Sequence, residues 1–402
     1  MSFPAALDIP EPVLEIARTL EQAGYEVWCV GGALRDALLG QSPRQYDLGH
    51  TILDLATSAT PDQVRSLFRR SVATGIKYGT VGVFDRRGVL HDVTTFRRDV
   101  ETDGRHAVVQ YGVSLEEDLA RRDFTINAIA YHPLRHEWRD PFSGATDLEK
   151  RLIRAVGRPA ERFQEDYLRI LRALRFAARF DFTIDPDTWT AARAAAPGLA
   201  QLSAERVREE WFRGLQTARS ITRFATLWTD VGAARIWIPE LERGPFADGQ
   251  VSEPPTSMRD PILLTAYLTS SPASVLRRLK ASNAEIDRAE QIENGPREPA
   301  GSNEQLVRRW LAAVGGSADD LTALWRLRNQ REPSWSHTVR QIKERKDPLT
   351  RSDLAISGAD LQGEGLSGVE IGRTLAFLLD RVLDDPSLNT RDRLLALVRD
   401  RR

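Results

Sequence analysis

The periodicity of apolar residues changes once along this chain, and that change constrains the fold more than any other feature. From Glu26 to about Tyr131, short β-rich runs such as EVWCV, TVGVF and VLHDVTTF alternate with turns and helical stretches. The turn Asp85-Arg86-Arg87-Gly88 between two of these runs predicts a hairpin. From about Asp147 onward, YLRILRALRFAARF, ERVREEWFRGL and IGRTLAFLLDRVL follow the helical period. The pattern predicts an α+β protein, with an α/β head followed by helical domains.

Turn-rich segments divide the helical part further. At 402 residues the chain exceeds the size of one hydrophobic core, which predicts two to four compact units. Breaks are expected in GPFADGQVSEPPTS, in NGPREPAGSN and near Lys346-Asp347-Pro348.

Composition excludes several classes of protein. The 56 basic and 57 acidic residues give a net charge of −1, so a nucleic-acid site requires local segregation of charge. Cys29 is the single cysteine, which excludes a disulfide framework and a cysteine-rich zinc site. The N-terminal MSFPAALDIPEP has no signal-peptide pattern, and no segment reaches about 18 apolar residues. These features predict a cytoplasmic protein that does not bind a membrane.

The segment VWCVGGALRDALLG reads as a strand, a Gly31-Gly32 turn and a helix. Glycines at such a turn let a phosphate approach the backbone, and the helix start favours an anion. Arg35 is expected to project from the first turn and to add its charge. A tight turn without a ligand is the alternative interpretation. No GxGxxG or GxxxxGK[ST] pattern is present, so the dinucleotide-binding and P-loop interpretations lose their main support.

The stretch that begins near Asp166 predicts an amphipathic helix. At 100° per residue, one face gathers the apolar residues Ile170, Leu171, Leu174, Ala177 and Ala178. The other half carries the charged residues Glu165, Asp166, Arg169, Arg172 and Arg175. Taken alone, this half is typical of a solvated helix face with ion pairs.

Several runs together resemble one known family. GGALRDALLG resembles the opening motif of the class II tRNA nucleotidyltransferase and bacterial poly(A) polymerase family, and RRDFTINAIAY (121–131) resembles its second signature. EDYLRILRALRFAARF, GATDLEKRLIRAVG, SAERVREE and ISGADLQGEGLSGVEIGRTL match further motifs in the family's order. The resemblance implies a polymerase β-like nucleotidyltransferase head (1–146), a neck with the nucleotide-selecting helix (147–218), a body (219–345) and a tRNA-binding tail (346–402).

The resemblance also implies how a nucleotide is selected. The Asp166 carboxylate would accept from the amino group of cytosine or adenine while Arg169 donates to the neighbouring ring nitrogen. Uracil and guanine present the reversed pattern and would leave polar groups unpaired. Arg122, beside Asp123, would be a further nucleotide contact, and Asn127 is structural or sugar-directed. Arg172 and Arg175 would handle triphosphate or stabilise the fold.

The implied reaction is attack of a tRNA 3′-hydroxyl on the α-phosphate of CTP or ATP, with Mg²⁺ held by carboxylates. The family's Asp-x-Asp pair is broken here: one register gives Gln45 and Asp47, the other Ile52 and Asp54. Asp92, in VLHDVTTF, matches the family's third carboxylate. Three interpretations stay open: Asp47 and Asp54 rebuild the metal site, one of them acts with Asp92, or the site is impaired. His91 is expected to be a satisfied or surface residue.

Two further segments bear on function. The loop at Asp103-Gly104-Arg105 matches a family segment that switches the pocket from CTP to ATP, and its presence favours full CCA addition. The alternative interpretation is an exposed hairpin loop without this function. Trp310, Trp325 and Trp335 are expected in the core rather than against tRNA. The predicted function is therefore CCA addition to tRNA. The alternatives are an A-adding, CC-adding or poly(A) polymerase variant, or a tRNA-binding relative that has lost catalysis.

Overall fold

The fold was described in a computed structural model of the chain. The structure describes residues 3–40, 46–47, 50–51, 53–75, 79–102 and 107–401, with the backbone alone at 46–47, 50–51, 99–102 and 107–108. The chain forms two compact units, Met1–Ile238 and Pro239–Arg402. Each unit is described by itself.

The first unit begins with a mixed β-sheet, as the sequence predicts. Its described strands are β1 (Val27–Val30), β2 (Tyr46–Asp47), β3 (His50–Thr51), β4 (Asp54–Thr57), β5 (Ser71–Gly75), β6 (Thr80–Phe84), β7 (Leu90–Thr95), β10 (Ala130–His132) and β11 (Glu137–Arg139). They lie in the order β11-β10-β1-β4-β7-β3-β2, and β6 joins β7 to β5. β4 and β7 run parallel, whereas β1 lies antiparallel to β4. β8 (Arg97–Thr102) and β9 (Ala107–Tyr111) form a separate hairpin, and β12 (Leu152–Ile153) pairs with β13 (Thr183–Ile184).

Helices cover both faces of the sheet because its strands alternate inward and outward residues. On one face, Val13 and Leu20 pack in one core cluster with Val64 and Val93. On the other face, Leu119 packs with strand residues in a second cluster. The predicted hairpin is confirmed, since the Asp85 N–H donates to the Val89 carbonyl between β6 and β7.

The helices of the first unit continue from the sheet into a helical layer. They are α1 (Glu11–Gln22), α2 (Gly32–Leu38), α3 (Pro61–Leu67), α4 (Leu115–Ala120), α5 (Gly144–Glu149), α6 (Pro159–Glu165), α7 (Leu168–Phe180), α8 (Pro186–Ala195), α9 (Ala204–Thr217), α10 (Ile221–Val231) and α11 (Ala233–Trp237). The amphipathic α7 packs against α9 and α10. Residues 219–238 therefore belong to the first unit, although the predicted body begins at 219; the four-part division otherwise stays a prediction.

The start of the helix that is predicted to select the nucleotide differs from the sequence prediction. α7 begins at Leu168, and Asp166 lies on extended backbone between α6 and α7, with φ −154° and ψ 104°. The Asp166 carboxylate instead accepts from the Leu168 N–H. A short polar side chain at a helix start competes with helical hydrogen bonding in this way.

The second unit is helical throughout its regular elements. Its helices are α12 (Pro261–Leu268), α13 (Pro272–Arg278), α14 (Asn283–Asn294), α15 (Glu304–Val314), α16 (Ala318–Asn329), α17 (Ser336–Arg345), α18 (Gly358–Gly363), α19 (Val369–Asp384) and α20 (Arg391–Asp400). Trp310 and Trp335 are buried in one core, and Trp325 packs against it, which confirms the core prediction. In the part of the chain that the structure describes, no helix is long and apolar enough to cross a membrane.

Candidate active site

One open cleft in the first unit brings together most of the residues predicted from the sequence. Its volume is about 510 Å³. The predicted residues that line it are Gly31, Gly32, Arg35, Asp54, Arg122, Asp123, Asn127, Asp166, Arg169, Arg172 and Arg175. They come from the sheet, the turn before α2, the end of α4 and the start of α7, so the fold assembles them from distant parts of the chain.

The glycine turn lies directly against Asp54. Gly31 follows β1 with φ +89° and ψ −157°, a conformation that L side chains rarely adopt. A Cβ built at Gly31 would lie 3.1 Å from Asp54 Oδ2 and 3.8 Å from Arg122 Nη1. Glycine is therefore required here both for the backbone conformation and for close approach.

Asp54, which lines this cleft, has Asp92 as its neighbour on the next strand. Their strands pair in parallel, with Leu55 opposite Val93, so the two aspartates occupy neighbouring positions on one face of the sheet. Asp54 is exposed to solvent in the open cleft, but the protein atoms packed around it still desolvate the carboxylate and raise its pKa to about 6; the charge of Arg122 opposes that rise and the charge of Asp92 adds to it. Two adjacent carboxylates suit Mg²⁺, which commonly takes one or two protein carboxylates together with substrate phosphates.

Asp47, the third predicted metal ligand, lies in β2, which pairs with β3. Its side chain is outside the described residues, as are Gln45 and Ile52. Among the described side chains, no group of three or more histidine, cysteine, aspartate or glutamate residues could hold a metal ion. The structure thus places Asp54 beside Asp92 of β7. This arrangement corresponds to the interpretation in which one of Asp47 and Asp54 acts with Asp92.

The predicted position of Arg35 is wrong in one respect. Its guanidinium does not project from the turn but lies buried beneath it, between the rings of Phe176 and Phe180 at 5.1 and 4.6 Å. Nη1 donates to Asn127 Oδ1 at 2.6 Å, and Nε donates to Asp36 Oδ1 at 2.8 Å. Stacking and hydrogen bonds hold the guanidinium there, so Arg35 supports the turn from within.

Asp123 is the centre of a second buried network. Its carboxylate accepts from Asn127 Nδ2 at 2.9 Å, from the Phe124 N–H at 2.8 Å and from Arg172 Nε at 2.8 Å. Burial alone would raise the pKa of Asp123, but the charge of Arg172 and these hydrogen bonds lower it to about 2. Asp123 and Asn127 therefore act first as a scaffold that fixes Arg172 at the cleft.

Arg122 is positioned by a neighbouring acid. Its Nη2 atom donates to Asp118 Oδ2 at 3.2 Å, and Asp118 is fully buried at the end of α4. The same carboxylate accepts from Arg121 and from the Arg97 N–H at the start of β8. Asp118 thus links the β8–β9 hairpin to Arg122.

Asp166 and Arg169 face the cleft that contains Gly31 and Gly32. Arg169 Nη1 donates to the Arg162 carbonyl at 3.1 Å and to Glu165 Oε2 at 2.7 Å. Its Nη2 atom donates to the Arg121 carbonyl at 3.0 Å. The Nε–H and one N–H of Nη2 make no hydrogen bond to the described residues, and they are available to a ring nitrogen.

Arg175 is held by contacts with Glu210 and with the Phe176 ring. It is buried, its Nε atom donates to Glu210 Oε2 at 2.5 Å, and its guanidinium lies 4.2 Å from the centre of the Phe176 ring. Of the two roles that the resemblance allows for Arg175, these contacts favour stabilisation of the fold.

Comparisons with known proteins identify the family. The model of the poly A polymerase head domain matches residues 27–154, and that of the probable RNA and SrmB-binding site of polymerase A matches 181–244. The CCA-adding enzyme of Levilactobacillus brevis is 33% identical over 426 residues, with 99% of each chain covered. The chain belongs to the CCA-adding enzyme family. The crystal structure of the Bacillus stearothermophilus CCA-adding enzyme in complex with CTP is 30% identical, covers 97% of each chain and has a TM-score of 0.80.

Two other members of the CCA-adding enzyme family are similar over different shares of the chain. The CCA-adding enzyme of Leuconostoc mesenteroides is 45% identical over 213 residues, about half of each chain. The Thermotoga maritima CCA-adding enzyme complexed with tRNA is 20% identical with a TM-score of 0.65, which is a likeness of fold. Nucleotidyltransferases generally use a divalent metal, and the adjacent Asp54 and Asp92 carboxylates suit one.

Sequence reasoning missed several residues of this candidate site. Arg121, Arg179, Arg206 and Arg213 also line the cleft, and Glu165, Asp118 and Glu210 hold arginines that line it. The segment SAERVREE, which contains Arg206 and Glu210, matches a family motif. The match did not predict which residues these two side chains contact. No short-range pattern connects Asp118 with Arg122 beyond their i,i+4 spacing on α4 and its end.

Two residues close to the site in the sequence, His91 and Cys29, are buried. His91 is buried with Nε2 3.2 Å from Asp85 Oδ2, on the face of β7 opposite Asp92. It is therefore a buried hairpin contact and not a surface residue; Nε2 is paired with Asp85, but Nδ1 has no hydrogen-bond partner among the described residues, so the expectation of a satisfied histidine is met for one ring nitrogen only. Burial raises the pKa of Cys29 to about 12, so its thiol is not ionised near neutral pH. The expected switching loop at Asp103 lies outside the described residues.

Proposed function

We propose that this chain adds CCA to the 3′ end of tRNA, transferring CMP and AMP from CTP and ATP without a nucleic-acid template. The observation that carries the proposal is a single cleft lined both by Asp166 and Arg169 and by the Gly31 turn and Asp54. Asp166 and Arg169 offer an acceptor and a donor for a base, and Asp54, with Asp92 on the next strand, offers carboxylates for a metal. Membership of the CCA-adding enzyme family supports the same reaction.

Base selection in this mechanism is performed by side chains. The Asp166 carboxylate accepts a hydrogen bond from the exocyclic amino group of cytosine or adenine. The two unengaged N–H groups of Arg169 donate toward the adjacent ring nitrogen. Uracil and guanine place a carbonyl and an N–H at these positions, so each would leave buried polar groups unpaired.

The triphosphate occupies the part of the cleft between the glycine turn and the arginines. The absence of a Cβ at Gly31 leaves room for phosphate beside Asp54, and Arg122 and Arg172 supply positive charge. The tRNA 3′-hydroxyl oxygen bonds to the α-phosphorus, the bond to the β-phosphate oxygen breaks, and pyrophosphate leaves. Asp54 and Asp92, with Asp47 as a third candidate, would hold Mg²⁺. When bound, Mg²⁺ activates the hydroxyl and neutralises charge on the phosphates.

The partners follow from the reaction: CTP, ATP and a tRNA that lacks its terminus, in the cytoplasm where tRNA matures and the single cysteine stays reduced. The helical second unit supports tRNA binding through its arginines and its tail, where shape and phosphate contacts recognise an A-form acceptor stem.

A test is direct. Purified protein is incubated with Mg²⁺ and a tRNA that ends before CCA, and the products are separated on a sequencing gel. We expect two added residues with CTP alone and three with CTP and ATP. Failure to incorporate CMP would overturn the proposal. A product with one A, two C or a long A tract would instead identify a variant of the same chemistry.

A further inference from the structure

The base-selecting aspartate is held from two sides. Asp166 Oδ1 accepts from the Leu168 N–H at 3.0 Å, and Oδ2 accepts from Arg206 Nη2 at 2.7 Å. Both side chains are about three-quarters buried, with 23% of Asp166 and 28% of Arg206 exposed. A charge-assisted hydrogen bond of this length, out of bulk water, restrains both torsions of a short side chain.

Arg206 is the cation that makes this bond. Among the described residues, Arg206 is the sole Lys, Arg or His within ion-pair distance of the Asp166 carboxylate. Arg169 does not share the task, because its hydrogen bonds go to Glu165 and to the carbonyls of Arg162 and Arg121. The two members of the base-selecting pair are therefore fixed by different elements, Asp166 from α9 and Arg169 from α4 and α6.

Selectivity depends on which way the Asp166 carboxylate points. In the proposed function, the lone pairs of Asp166 that the Leu168 N–H and Arg206 leave free accept from the exocyclic amino group. A carboxylate free to rotate could instead accept from the ring N–H of uracil, which lies one atom further round the base edge. The rejection of uracil therefore depends on the orientation of the Asp166 carboxylate. It does not depend on the total charge of the cleft.

We propose that Arg206 is a specificity-determining positioning residue, which locks the Asp166 carboxylate in the orientation that accepts cytosine and adenine and rejects uracil and guanine. The inference rests on the proposed function. It extends the selecting unit from two side chains to three, with the third on the helix of the SAERVREE segment.

The experiment compares Arg206→Gln with Arg213→Gln. Arg213 lies on the same helix and lines the same cleft, but its ion pair is with Glu209, so its substitution removes the same charge without touching Asp166. Steady-state kcat and KM are measured for CMP and UMP incorporation into tRNA lacking CCA. For Arg206→Gln we expect the ratio of kcat/KM for CTP to that for UTP to fall at least about tenfold. Arg213→Gln should leave this ratio unchanged, whatever it does to the rate.

Arg206→Lys is the second variant. Lysine keeps the charge but offers no planar fork, so the CTP/UTP ratio should lie between those of the wild type and Arg206→Gln. A CTP/UTP ratio equal to that of the wild type in a folded Arg206→Gln protein would overturn the inference. If that variant does not fold, the ratio for Arg206→Lys decides in the same way. Failure of the wild type to incorporate CMP would overturn the proposed function instead, so the two failures are distinguishable.

Discussion

At the scale of single residues, neighbouring groups shift the pKa of Asp54 in opposite directions. The protein atoms packed around its exposed side chain and the neighbouring Asp92 raise its pKa, and the charge of Arg122 opposes that rise. A carboxylate with a pKa of about 6 beside a second carboxylate is a site that a divalent cation would stabilise, because the cation favours both charges at once.

Replacement of these carboxylates should affect chemistry more than binding. We expect Asp54→Asn and Asp92→Asn each to lower kcat for CMP incorporation by roughly 100-fold or more, since a bound metal contributes several kcal/mol to the transition state. CTP affinity measured by equilibrium binding without metal should change little. Asp62→Asn, at an exposed position in the first turn of α3, serves as the control. Wild-type kcat in both cleft variants would remove these residues from the metal site.

The Asp123–Arg172 pair predicts a pH-dependent contribution to stability. Asp123 stays ionised in the folded protein down to about pH 2, whereas an aspartate in the unfolded chain protonates near pH 4. Its contribution, about 2 kcal/mol, is present above pH 4 and is lost as the pH falls from 4 toward 2. In urea titrations from pH 6 to pH 3, the stability difference between the wild type and Asp123→Asn should therefore shrink. A constant difference would show that Asp123 is not ionised in the pair.

At the scale of elements, the turn between β1 and α2 determines how closely phosphate can approach Asp54. Gly31→Ala should cost about 1 to 2 kcal/mol of stability from its positive φ, and its Cβ would also press on Asp54. We therefore expect a loss of kcat/KM for CTP of at least about tenfold, in a protein that still folds.

Gly24→Ala is the matched control for that substitution. Gly24 also has a positive φ, +85°, but a Cβ there would meet nothing within 4 Å. It should lower the melting temperature in a similar way while kcat/KM stays near the wild-type value. Equal losses of activity in the two variants would mean that backbone strain alone, and not contact with Asp54, explains the effect of Gly31→Ala.

The sequence predicts elements well where one periodicity dominates. The β6–β7 hairpin, α7, α9 and α19 lie within a residue or two of their predicted positions, because each buries one continuous apolar face. The break before α7 was not predictable, since helical periodicity does not show that Asp166 leaves the helix to accept from the Leu168 N–H. The inward turn of Arg35 likewise depends on Phe176 and Phe180, which are far along the chain.

The sequence predicts most residues of the candidate site, but it does not predict the side chains that hold them in position. Motif resemblance names Asp166 and Arg169, whereas Arg206 is found only when α9 is placed beside α7. The same holds for Asp118, whose partners include the main chain at the start of β8. Such contacts are long-range side-chain geometry, and local patterns contain no information about them.

At the scale of the whole molecule, the described residues of the cleft all belong to the unit Met1–Ile238. This unit has its own core clusters on both faces of the sheet. A chain that ends at Ile238 should therefore fold and bind CTP with an affinity close to that of the full chain.

The same truncation should weaken tRNA binding at least about tenfold, which corresponds to a loss of about 1.4 kcal/mol of contacts. Isothermal titration with CTP and filter binding with tRNA would measure the two affinities. Loss of CTP binding in a folded fragment would show that the second unit completes the nucleotide site. Unchanged tRNA binding would contradict the role proposed for that unit.

In the proposed function, protein side chains select the incoming base in place of a nucleic-acid template. The kcat/KM of Asp166→Asn for UTP relative to CTP tests this selection, because asparagine offers a donor as well as an acceptor. We expect this ratio to rise at least about tenfold over the wild type, with UMP appearing at the tRNA 3′ end. A ratio equal to that of the wild type, with CMP incorporation retained, would contradict it.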